Sequence, residues 1–119
     1  MADTVINFSL LAGQGVQART LQAGEVLFRE GDPAQELYVV KSGTVEIRHG
    51  DKVLETLQEG GIFGELALID AAPRSATVIA KTDASVVPVG EKQFLFMVSH
   101  TPHFALNVMR VLARRLRRS

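Results

Sequence analysis

The chain contains no cysteine, has no excess of either charge, and has little histidine. Without cysteine no disulfide can support the fold, and a reducing compartment is expected. Thirteen basic residues against thirteen acidic ones leave a formal net charge of zero, so no global field draws nucleic acid or an anionic membrane. No apolar run approaches the ~18 residues that a membrane span needs. The opening Met1-Ala2-Asp3-Thr4 has no cationic segment, so no signal peptide is expected and the cytoplasm is the expected location. The histidines are His49, His100 and His103. The last two are three apart, but Thr101 and Pro102 between them break a shared helical face, and no acidic third ligand lies nearby. No cysteine and no glycine-embedded serine stands with a matching histidine and acid. Neither a metal, nor a cofactor, nor an enzyme activity is therefore expected.

A length of 119 residues with 46% hydrophobic content suits one domain over 1–119, which buries about two thirds of its unfolded surface. The charge is unevenly spread. Arg110, Arg114, Arg115, Arg117 and Arg118 make a cationic tail on a neutral body.

From Thr20 to Val89 the segments are short and rich in Val, Ile, Leu and Thr. Turns are signalled at Glu30-Gly31-Asp32-Pro33, Lys41-Ser42-Gly43, His49-Gly50-Asp51 and Glu59-Gly60-Gly61. The pattern predicts an antiparallel roll with strands near 25–29, 36–41, 44–49, 52–57, 76–81 and 85–89, with Pro88 at an edge or end. Ahead of it, Ile6, Phe8 and Leu10 alternate with Asn7 and Ser9, which predicts a half-buried strand, and Gly13 and Gly15 make 11–19 a poor helix. After Gly90 the apolar period becomes three and four. Phe94, Met97 and Val98 mark one helix. Phe104, Ala105, Val108, Val111, Leu112 and Leu116 mark a second, with Thr101 as its cap and Pro102 in its first turn.

The segment of greatest chemical interest runs from Gly64 to Val78. Leu66 to Asp70 has helix-forming composition and Pro73 closes it. Gly64 before it lets backbone approach a ligand, so the first N–H groups of one helical turn would face an anion. Arg74 offers a planar fork of donors suited to phosphate oxygens. Glu65, an acceptor only, suits sugar hydroxyls. Phosphate and ribose together indicate a nucleotide. The plainer alternative is a structural ion pair between Glu65 and Arg74.

Glu59-Gly60-Gly61-Ile62-Phe63-Gly64-Glu65-Leu66-Ala67-Leu68-Ile69, followed by Pro73-Arg74-Ser75-Ala76-Thr77-Val78, resembles the phosphate-binding cassette of cyclic nucleotide-binding domains. Ala23-Gly24-Glu25-Val26-Leu27-Phe28-Arg29-Glu30-Gly31-Asp32, with Leu37-Tyr38-Val39-Val40 and Ser42-Gly43, resembles the first strands and turns of that domain. The resemblance covers roughly 21–95. It implies a mainly β fold, an antiparallel jelly-roll type β-barrel with a short cassette helix and C-terminal helices. It also implies a ligand, cyclic AMP or, second, cyclic GMP. In that role Arg74 would pair with the exocyclic phosphate oxygens, Glu65 would accept from the ribose 2′-hydroxyl, and N–H groups near Gly64, Leu66, Ala67 and Ser75 would complete the cradle. A serine at position 75 can accept from the guanine 2-amino group, so the preference for cyclic AMP is expected to be moderate.

The expected function is a stand-alone sensor that signals through its C-terminal helices to an effector protein or a second copy, with no specific DNA binding and no membrane partner. A catabolite activator type regulator would continue past Ser119 into a helix-turn-helix. The alternatives are a nucleotide-independent interaction module, or a regulatory piece of a channel, kinase or transcription factor.

Overall fold

The computed structural model describes residues 8–117. Two four-stranded antiparallel sheets face each other. The first has the order β1 (Arg19–Leu21), β8 (Ala84–Gly90), β3 (Glu36–Ser42), β6 (Ile62–Phe63). The second has the order β2 (Val26–Phe28), β7 (Thr77–Ala80), β4 (Val45–His49), β5 (Lys52–Leu57). This is a mainly β jelly roll, as the turn spacing and the resemblance implied. The helices are α1 (Phe8–Gly13), α2 (Leu66–Ile69), α3 (Glu91–His100) and α4 (His103–Arg117).

The apolar run at Leu37-Tyr38-Val39-Val40 has a structural cause. β3 is central in its sheet and is covered on both faces. Tyr38 and Val40 point between the sheets with Leu21, Val45, Phe63, Val78 and Val86. Leu37 and Val39 point the other way, into a second core with Ile62, Val87, Val89, Met97, Phe104, Val108 and Val111. A strand buried on both faces loses the alternation that marks a half-exposed one. The helices cover the outer face of the first sheet.

Several sequence expectations need correction. Phe8 and Leu10 lie in helix α1 and not in a strand; Ile6 falls outside the described residues. A helical turn brings Phe8 and Leu11 to one face, where Leu11 is 1% exposed and both join the core under α3. Tertiary burial overrides the weak propensity of this segment. Two short strands, β1 and β6, were not predicted. Pro88 lies inside β8, but beyond the end of β1, which pairs only with Ala84 to Val86, so β8 has a neighbour there only on the β3 side. Thr101 does not cap α4: its hydroxyl and its amide both donate to the Met97 carbonyl, closing α3. In α4 the inward face is Phe104, Asn107, Val108 and Val111, while Leu116 is 73% exposed.

Candidate functional site

A cavity of about 630 Å³ lies between the second sheet, the cassette and α4. Phe28, Ile47 and Val78 line it from the sheet, and Val53, Leu54 and Glu55 from β5. Gly64, Glu65, Leu66 and Ala67 line it from the cassette, Arg74 and Ser75 from the approach to β7, and Leu112, Arg115 and Leu116 from α4. Every site residue named from the sequence lines this one space. Residues up to eleven apart in the chain meet because α2 and the turn through Pro73 fold back between β6 and β7.

Gly64 has φ +75, in the region that favours glycine. A Cβ there would stand 2.7 Å from Nη1 of Arg74, so the position needs glycine for conformation and for space. Nη1 donates to the Gly64 carbonyl at 3.3 Å, and Ala67 N–H donates to the same carbonyl at 3.2 Å. The Ala67 amide is thus committed within the turn. Gly31 N–H donates to the Arg74 carbonyl and Arg74 N–H to the Asp32 carbonyl, fixing the backbone of the arginine to the β2–β3 turn.

Arg74 is 7% exposed; its guanidinium stacks on Phe28, and Nε is buried without a partner. Burial draws its pKa below the ordinary arginine value, opposed by Tyr38, Glu36 and Asp32. It remains a cation at neutral pH. Burial likewise raises the Tyr38 phenol, helped by its hydrogen bond to Glu36.

Glu65 is 4% exposed and makes no ion pair with Arg74. Its partner is Arg115 of α4, whose Nη1 donates to Glu65 Oε1. The same guanidinium donates from Nε to Glu55 at 3.1 Å and from Nη2 to the Ile62 carbonyl at 2.9 Å. Arg115 therefore ties α4 to β5, to the start of β6 and to the cassette. From the sequence it belongs to the cationic tail. The helical period places it four residues past Val111 on the inward stripe of α4, a signal the sequence carries; which carboxylates it meets is decided by the tertiary structure. Ser75 is exposed at the rim, and Leu66 is 38% exposed.

The arrangement is a largely apolar, half-open cavity with a donor-rich cation at one side, a carboxylate beside it, and α4 along its edge. Such a set of donors and acceptor, carried on a jelly roll, has the chemistry to hold a small molecule with an anionic group and hydroxyls. The family model described as cyclic nucleotide-binding domain matches residues 18–101, and the chain belongs to that family. The cyclic AMP receptor protein of Thermus thermophilus is 34% identical over 106 residues, 85% of this chain and 49% of the receptor. The crystal structure of the Thermus thermophilus catabolite activator protein superposes with a TM-score of 0.77 at 34% identity, covering 91% of this chain and 53% of that one. A structure described under a cyclic-GMP-dependent signalling pathway of bacterial phytopathogenesis gives a TM-score of 0.76 at 27% identity, covering 96% and 97% of the two chains. The chain spans about half the length of the Thermus receptor.

Proposed function

We propose that this chain binds 3′,5′-cyclic AMP, with cyclic GMP as a weaker ligand, and that it converts binding into movement of α4. The observation that carries the reading is the shared cavity, in which Arg74, Glu65 and the Gly64 turn line one wall and α4 another. In this reading Arg74 takes the exocyclic phosphate oxygens, Glu65 accepts from the ribose 2′-hydroxyl, and Leu66 and Ser75 add donors. The cradle departs from the sequence expectation at Ala67, whose N–H already serves the turn. The base lies toward Val53, Leu54, Leu112 and Leu116. Glu65 has two oxygens, so the contact with Arg115 and the contact with a sugar hydroxyl are compatible. The site binds and does not react.

The output is proposed to pass through the outer face of α4, where Leu106, Met109 and Ala113 are exposed beside Arg110, Arg114 and Arg117. An effector protein or a second copy would seat there. A longer protein carrying this domain would use the same helix to connect it to the next one.

Titration calorimetry with cyclic AMP tests the reading. The chain should bind, and Arg74→Ala should weaken binding roughly 100-fold or more, because two charge-assisted hydrogen bonds together contribute about 3 kcal/mol. Affinity retained within about threefold would remove Arg74 from the phosphate.

A further inference from the structure

We propose that Phe28 is a positioning residue for ligand binding: its ring face, in place of a carboxylate, holds the Arg74 guanidinium in the cavity wall and leaves the cation's donors for a ligand phosphate. The proposal rests on the nucleotide reading of the site.

A buried arginine is ordinarily held by a carboxylate that satisfies its charge and its donors together. Arg74 is held otherwise. Its Cζ lies 4.0 Å from the Phe28 ring centroid and 5.6 Å from that of Tyr38. Among the described residues no carboxylate pairs with it within 4 Å. Its side-chain hydrogen bond, to Gly64, is long at 3.3 Å, and Nε is buried without a partner. A cation over an aromatic face is attracted more strongly once desolvated, and the attraction uses no N–H donor. A permanent carboxylate partner would instead compete with the phosphate for those donors.

Phe28 and Arg74 both line the 630 Å³ cavity and also a second hollow of about 410 Å³ beside Asp32, Glu36 and Tyr38. The pair stands between two spaces, so the Arg74 donors face open volume. The ring itself is well anchored. Phe28 contacts Tyr38 and Phe63 at centroid distances of 6.0 and 6.1 Å, those two rings stack at 5.5 Å, and the Tyr38 hydroxyl donates to Glu36 at 2.9 Å. A shelf held this firmly fixes the guanidinium before ligand arrives, which lowers the ordering cost of binding.

The test replaces Phe28 in the full 119-residue chain by 4-fluoro-, 3,5-difluoro- and 3,4,5-trifluorophenylalanine, which weaken the ring's negative face at nearly constant size. Cyclic AMP affinity should fall stepwise, reaching about tenfold for the trifluoro ring. In an Arg74→Ala background the same series should be flat. Affinity constant within about twofold across the series would overturn the proposal. A gain in affinity would also overturn it, because the ring would then be sequestering Arg74 from ligand. So would equal losses with alanine at position 74, which would assign the ring to the ligand itself. Should the unsubstituted chain bind no cyclic nucleotide, the reading of the site fails, and the proposal with it; that result is distinct from a chain that binds but ignores fluorination.

Discussion

At the residue scale the site depends on exclusion as much as on contact. Gly64 is the clearest case, since its φ of +75 and the 2.7 Å approach of Arg74 Nη1 to a Cβ both disallow a side chain. Gly64→Ala should therefore cost stability, by about 1 to 2 kcal/mol in chemical unfolding. It should also weaken cyclic AMP by tenfold or more, because the methyl group displaces the guanidinium and not merely the turn. A variant that lost stability but kept affinity would separate the two effects. Glu65 allows a finer test. Glu65→Gln should weaken cyclic AMP much more than 2′-deoxy cyclic AMP, since the deoxy sugar lacks the hydroxyl that the carboxylate is proposed to accept. Equal losses in competition titrations would mean that Glu65 serves only to hold Arg115 and the cassette.

At the scale of elements α4 is the connector, because it is apolar on two sides. Phe104, Asn107, Val108 and Val111 face the core, and Leu106, Met109 and Ala113 face outward. Arg115 continues the inward stripe, four residues past Val111, and reaches Glu55, Glu65 and the Ile62 carbonyl. Removing it leaves the nearly buried Glu65 carboxylate without that cation, and an uncompensated buried charge is costly. Arg115→Leu, which retains an apolar stem, should lower unfolding stability by about 2 kcal/mol, and adding Glu65→Gln should recover much of the loss. Additive losses in this cycle would show that Arg115 acts through packing alone.

At the scale of the molecule the two cores assign separate tasks. The core between the sheets contains no residue of α4, whereas the core outside the first sheet contains Phe104, Val108 and Val111. The sandwich should therefore survive changes to α4 that the ligand site does not. Deleting residues 110–119 should weaken nucleotide binding and leave a cooperative unfolding transition. Nucleotide should also alter amide exchange across 103–117 as well as in the cassette. Unchanged exchange in α4, together with unchanged affinity of the shortened chain, would leave the helix as structural cover only.

What could be read directly from the sequence was local: turn residues between apolar segments, the change of period after Gly90, and a Gly-Glu-Leu-Ala run followed by Pro-Arg-Ser. Each feature depends on neighbours within about one turn or one hairpin, so the predicted strands at 36–41, 44–49 and 52–57 match β3, β4 and β5 closely. What lay beyond the sequence depended on distant partners. Phe8 to Gly13 is helical because Leu11 finds a hydrophobic seat under α3. The carboxylate of Glu65 is met by Arg115, fifty residues on, and not by nearby Arg74. Phe28, read only as part of a strand, becomes the shelf under Arg74 because β2 pairs with β7 directly after the cassette. Propensity and spacing act over a few residues. Burial, ion pairing and ring stacking act across space, and only the closed fold determines which residues they join.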